Sequence, residues 1–287
     1  MSMQRNQMKG FRIPFISMSE QGTLDQKTGM WGRMRPFLFE RPAPCQRGCP
    51  AGIPIPRVLG YLQEKRYEEA IESIRMENPL PRITGRVCFH PCEKDCNRKE
   101  FDQPISIRSL ERFLSDHSYK PQKMEPNGKR IAVIGSGPAG LSCSYYLILL
   151  GCQVTLFEGE KELGGMLRFG IPEYRLPKEV LDQEIGHILS LGIKPMVGKR
   201  VGKDMSFEEI ERNYDSIFIA TGAWKGLKIG IPGEESQGVE DALEFLKKAN
   251  QGERLTVGKN VLVIGGGNTA FDAARTCVRM GAQVRVI

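Results

Sequence analysis

No run of apolar residues approaches the ~18–20 needed to span a bilayer, which excludes a transmembrane helix. The basic start, Met1–Gly10, is followed by no apolar stretch of the kind a secretory signal uses. No basic stripe is interleaved with aromatics, so nucleic-acid binding has no footprint; the net charge of +7 still permits an acidic partner. The first 44 residues hold no cysteine, and no C-x₂-C or C-x₄-C pair occurs anywhere. That spacing argues against the usual zinc knuckle and against a disulfide reductase, which needs a reactive pair beside a flavin. Cys143, Cys152 and Cys277 read as small buried residues. What is left is an ordinary globular composition, 40% hydrophobic and 26% charged over 287 residues, enough for about two domains in a cytoplasmic protein.

What is present is organised by the segment from Lys129 to Glu158. The apolar run Ile131–Ile134 predicts a strand buried on both faces. It leads into Gly135-x-Gly137-x-x-Gly140, after which Leu141, Tyr145 and Leu149 recur at helical spacing. The glycines supply a tight turn, close approach to a pyrophosphate, and close packing of helix on strand. The helix start then points free N–H groups at phosphate. A second strand, Gln153–Phe157, ends in Glu158, placed to accept from ribose hydroxyls and to repel a 2′-phosphate.

The device returns as Gly265-Gly266-Gly267-Asn268-Thr269-Ala270, after another apolar strand and before a helix expected at Phe271–Met280. Two dinucleotide units in one chain point to a flavin and a nicotinamide, hence to an oxidoreductase. In register with the first unit, Ile287 matches Phe157, so the counterpart of Glu158 would be the next residue. The second unit is thus expected to be truncated, and the chain to be part of a longer polypeptide.

Upstream, five cysteines fall in two groups, Cys45 and Cys49, then Cys88, Cys92 and Cys96, joined by two short helices. Gathered thiolates bind a soft metal centre. Cys49-Pro50 suits iron–sulfur ligation, with structural zinc and unligated thiols as the rivals. A helix is expected at Ile107–Ser115 and a linker at Pro121–Gly128. Further strands are expected at Lys194–Val201 and, buried, from Asp215, with helices at Phe207–Arg212 and Gly238–Asn250; a short strand is expected at Arg12–Ser17.

The order of these motifs resembles the glutamate synthase small subunit family. The resemblance is carried by Gly85-Arg-Val-Cys88, Pro91-Cys92-Glu, Gly135-Ser-Gly-Pro-Ala-Gly140, Gly164-Gly-Met-Leu-Arg-Phe-Gly-Ile-Pro-Glu-Tyr-Arg-Leu-Pro177, Ala220-Thr-Gly222 and Gly265–Ala270. The same module is found in the N-terminal half of dihydropyrimidine dehydrogenase and in the large subunit of bifurcating ferredoxin:NADP oxidoreductases. The resemblance runs from Cys45 to the end. It implies an α/β protein with two Rossmann-like dinucleotide-binding units, the second truncated, preceded by an α-helical iron–sulfur domain. The divisions would be an arm at 1–44, the iron–sulfur domain at 45–120, an FAD domain at 129–257, and the start of an inserted NAD(P)H domain at 258–287.

By the same resemblance FAD would contact Gly135, Gly137, Pro138, Ala139, Gly140, Glu158, Gly165, Leu167, Arg168, Arg175, Thr221 and Gly222. NAD(P)H would lie on Gly266, Gly267, Asn268 and Thr269. Arginine forks at 168 and 175 also suit pyrophosphate and flavin oxygens on chemical grounds. Family members with two clusters carry a further cysteine pair upstream, which Met1–Pro44 lacks. One [4Fe–4S] cluster is therefore expected on Cys49, Cys88 and Cys92, completed by Glu111 or by a rearranged Cys45 or Cys96. A second cluster, on Cys45 and Cys96, would need a partner's ligands. The implied activity passes electrons between NAD(P)H and a partner subunit or ferredoxin. The alternative is a non-catalytic electron-delivery subunit of a larger complex. Hydride transfer demands no general acid or base, so no residue is assigned as catalytic.

Overall fold

The structure, a computed structural model, describes residues 42–287; the expected strand at Arg12–Ser17 lies outside them. Pro42–Ile287 forms one compact unit. Its first part is helical: α1 (Pro44–Arg47), α2 (Ile55–Gln63), α3 (Tyr67–Arg75), α4 (Pro81–Val87), α5 (Pro91–Lys94) and α6 (Ile107–Leu114). Proline stands in the first turn of α1, α2, α4 and α5, where its missing N–H costs nothing. Val58, Ala70, Ile71, Ile74 and Leu114 bury a common core with Cys92. The close crossing of α4 on α6 depends on Gly85, where a Cβ would lie 2.9 Å from the backbone of Arg112.

The second part is α/β. β1 (Arg130–Ile134), α7 (Pro138–Leu149), β2 (Gln153–Phe157), α8 (Met166–Phe169), α9 (Lys178–Leu189), β3 (Lys194–Met196), α10 (Phe207–Asn213) and β4 (Ser216–Ile219) come in that order. The four strands are parallel in the order β3-β2-β1-β4. As expected, β1 is buried on both faces. The core beneath it joins Val133, Leu141, Tyr145 and Leu156 to Leu181, Ile185 and Ile188 of α9, and to Leu80 and Ile83 of the helical part.

Two expectations are corrected. The strand from Lys194 stops at Met196 rather than Val201, because Gly198 turns the chain at φ +64°. The strand after Asp215 is not buried: Phe218 is 40% and Ile219 61% exposed, since β4 ends the strand order. A continuous apolar run has the same spelling in a central strand and an edge strand.

After α11 (Ala242–Asn250), β5 (Asn260–Val263) pairs in parallel with β6 (Gln283–Val286) around α12 (Asn268–Arg279). α11 begins later than Gly238 because the Asp241 side chain caps it, accepting from the N–H groups of Leu243 and Glu244. The register between the two units holds. The Gly135 N–H donates to the Phe157 carbonyl at 2.8 Å, and the Gly265 N–H to the Ile287 carbonyl at 2.7 Å.

The helical and α/β parts are joined by an ion pair out of water. The Arg75 Nη1 donates to Glu184 Oε1 at 2.9 Å, with side chains 3% and 0% exposed. One turn further along α9, burial and the nearby Arg75 and Arg82 push His187 down to about 4, and its Nε2 has no hydrogen-bond partner. Between that value and the ordinary histidine value the unfolded chain binds the extra proton, so His187 lowers stability as pH falls from about 6.5 to 4. Buried Glu111, pushed up to about 7, contributes in the opposite direction. Urea unfolding of the protein and of His187→Gln should therefore show the variant gaining relative stability as pH drops through that window. Parallel pH profiles would refute the assignment.

Candidate functional site: two glycine turns and a group of thiols

At the first turn Gly135 takes φ +105°, and a Cβ there would meet the Ala220 carbonyl oxygen at 2.2 Å. A Cβ on Gly140 would reach the Gly135 carbonyl oxygen at 1.8 Å, so α7 rests directly on the turn. Gly137 is different: a Cβ there meets nothing within 4 Å. The turn is closed beneath and open above, where Pro138 and Ala139 are exposed at the start of α7. Free N–H groups and the positive end of a 12-residue helix face that opening.

Glu158 sits at the end of β2 with three donors around it. Ser136 gives its N–H at 3.0 Å and its hydroxyl at 2.5 Å to Oε2, and Glu160 gives its N–H at 2.9 Å to Oε1. The Ser136 hydroxyl accepts in turn from the Gly164 N–H at 3.0 Å, tying the turn to the loop that crosses it. Gly165 of that loop, at φ +53°, approaches so closely that a Cβ would lie 2.8 Å from Gly137 Cα. Ser136 occupies a variable position of the glycine pattern, so no spacing rule singles it out.

Leu167 and Arg168 are buried in α8. The Arg168 guanidinium is held by protein groups: Nε donates to the Leu163 carbonyl at 2.6 Å, and Nη2 pairs with Asp182 of α9. Arg175 donates through Nη1 to Asp272 of α12 at 2.5 Å, a contact between the two nucleotide units. The Arg279 guanidinium lies 3.7 Å from the centre of the Tyr174 ring, beside it. Lys178, pushed down to about 8 by burial, donates to the Ile171 carbonyl at 2.6 Å. Thr221 and Gly222 are exposed just beyond β4, against the first turn.

The second turn repeats the first with one relaxation. Gly265 takes φ +115° and Gly267 precedes α12 with the extended geometry of Gly137. Gly266 and Gly267 are open above, and Asn268 and Thr269 are exposed. Ala270 replaces the third glycine, with its methyl 3.9 Å from a Cβ built on Gly265; the helix stands further off its turn.

In the helical part Cys88 ends α4, Cys92 opens α5, and Cys45 and Cys49 lie in and after α1. Burial, then the nearness of Cys49 and Cys88, pushes the Cys92 thiol up to about 12. Burial also raises Cys45, with Cys96 and Cys49 adding to it. No set of three potential ligands converges to metal-holding distance among the described residues. His90, at φ +48°, donates its N–H to the Cys88 sulfur at 3.2 Å. Glu111 is turned to protein donors, its Oε1 accepting from Asn78 at 2.7 Å and Thr84 at 2.5 Å. The donor set suits thiolate-held iron in kind, and the open turns suit dinucleotides.

A parallel sheet with an open glycine turn and a second such turn define a Rossmann-type dinucleotide-binding protein, here preceded by a thiol-bearing helical part. Residues 39–123 match the family described as dihydropyrimidine dehydrogenase domain II, 4Fe-4S cluster. Residues 129–287 match the pyridine nucleotide-disulphide oxidoreductase family, and the chain belongs to that family. It is 40% identical over 262 residues to the NADPH-Fe(3+) oxidoreductase subunit beta of Geobacter sulfurreducens, covering 86% of this chain and 38% of that one. It is 38% identical over 279 residues to the NADP(+)-dependent formate dehydrogenase subunit beta of Moorella thermoacetica, covering 87% and 39%. With the glutamate synthase [NADPH] small chain of Mycobacterium tuberculosis it shares 35% identity over 257 residues, covering 83% and 53%. The chain thus spans between about a third and a half of these relatives' lengths. No helix among the described residues is long and apolar enough to cross a membrane.

The geometry separates two glycine substitutions that sequence treats alike. Gly137→Val should give a folded protein that binds no flavin, because the side chain enters only the open face. Gly140→Val should fail to fold stably, because it strikes the turn itself. Flavin content and thermal unfolding check the pair; normal flavin in folded Gly137→Val would contradict the site.

Proposed function

We propose that this chain is the relay module of a larger oxidoreductase, passing electrons between NAD(P)H and a partner subunit or ferredoxin. The observation that carries the reading is the union in one compact body of an open glycine turn with a helical part that carries five free cysteines. Gly135, Gly137, Gly140 and Gly165 would hold FAD over the first turn, with Glu158 at the ribose. Gly266, Gly267, Asn268 and Thr269 would hold NAD(P)H. Cys49, Cys88 and Cys92 would hold a [4Fe–4S] cluster, with Glu111, Cys45 or Cys96 as its remaining ligand. A flavin held there would supply the chemistry to take up one hydride and to give its two electrons on singly, the form a cluster carries. The chain's own residues bind, orient and exclude water; none is asked to move a proton.

The proposed division is 45–120 for the iron–sulfur domain, 129–257 for the FAD domain and 258–287 for the NAD(P)H unit. The relatives' names, two with NADPH and one with NADP(+), favour the 2′-phosphorylated nicotinamide, and each names one subunit or chain of a larger enzyme. A cytoplasmic setting is favoured by free thiols, all eight cysteines being unpaired.

The full-length protein, made without oxygen, should be yellow and contain iron and sulfide. Cys88→Ser should lose the ~400 nm iron–sulfur absorbance typical of such clusters while keeping flavin. It should still reduce an artificial dye with NADPH, with no metabolite turnover. Full iron retention in that variant would remove Cys88 from the ligand set.

A further inference from the structure

Helix α9 makes two ionic contacts, two residues apart, with different parts of the molecule. Asp182 pairs with Arg168 of α8, the helix that comes after the loop over the first turn. Glu184 takes up arginines from the cysteine-bearing part: Arg75 Nη1 at 2.9 Å on Oε1, and Arg75 Nη2 at 3.3 Å and Arg82 Nε at 3.4 Å on Oε2. Arg75 closes α3 and also donates to the Pro79 carbonyl at 3.0 Å, which fixes the approach to α4. α4 carries Arg82 and ends at Cys88. A single helix is therefore bonded to the loop region over the glycine turn and to the helix that delivers a thiol.

A buried ion pair is weak evidence for stability, because apolar residues of similar volume often do as well. What a guanidinium fork on a carboxylate adds is direction, two parallel bonds that admit one relative orientation. We propose that Glu184 with Arg75 and Arg82 is an orientation clamp, which makes Glu184 and Arg75 positioning residues for electron transfer between the two parts. The proposal rests on the relay function above. Tunnelling falls steeply with distance, so the clamp acts on the rate of one-electron passage and leaves hydride delivery alone. No bond is made or broken there: the electron pair supplied by NAD(P)H leaves as two single electrons to a one-electron acceptor.

The test uses the full-length holoprotein with Glu184→Gln and the double variant Arg75→Met/Glu184→Leu, which fills the same volume without the fork. Flavin and iron content should stay at the level of the parent protein, and flavin bleaching by NADPH within twofold. Passage to the iron site, read as bleaching near 400 nm, should slow tenfold or more in the double variant and less in Glu184→Gln. Hydrogen–deuterium exchange should rise in α4 and α9 together. An unchanged rate of iron reduction in the folded double variant would overturn the clamp. If the parent protein lacks flavin or iron, the relay reading fails instead. Unchanged exchange in α4 and α9 would still overturn the clamp on its own.

Discussion

The constraint on which the α/β part depends is the contact between the Gly140 backbone and the Gly135 carbonyl. There is no space there for a methyl group, so the helix start is pressed onto the strand end. The first N–H groups of α7 are thereby held at the mouth of the turn rather than behind a side chain. Ser136, pinned between Glu158 and Gly164, keeps the acid and the crossing loop in register with that mouth. Binding geometry and core packing are one fact here, because Leu141 and Tyr145 on the same helix are fully buried against β1 and β2.

At the second turn Ala270 stands where the first turn admits only glycine, its methyl 3.9 Å from a Cβ built on Gly265. The dihedral pattern and the closing hydrogen bond survive. The turn is therefore set by backbone geometry, and the tight seating of the helix is a separate property. Arg175–Asp272 then links the two units by an ion pair, beside the Arg279 guanidinium on the Tyr174 ring.

The glycine turns and β1 were legible because each is written in local spacing. The contacts that organise the space between them were not. Arg75 and Glu184 lie 109 residues apart and look like ordinary members of amphipathic helices. Arg168 and Arg175 read as free anion-binding forks; only the fold shows Asp182 and Asp272 across from them. Glu111, expected as a possible cluster ligand, is 8% exposed and bonded to Asn78 and Thr84. Partners that meet through tertiary structure leave no periodic trace. The exposed face of β4 escaped for a related reason, since the sequence of a strand does not name its neighbours.

His90 carries one more consequence. Its left-handed backbone is a conformation that glycine would adopt without strain, and a side chain is kept there at a cost of order 1–3 kcal/mol. That conformation aims a main-chain N–H at the Cys88 sulfur. Hydrogen bonds to ligand sulfur are one of the ways a protein shifts the reduction potential of an iron centre. With Cys88 as a ligand, the driving force for the outgoing electron would be adjusted by the backbone itself, out of reach of most side-chain exchanges at that position.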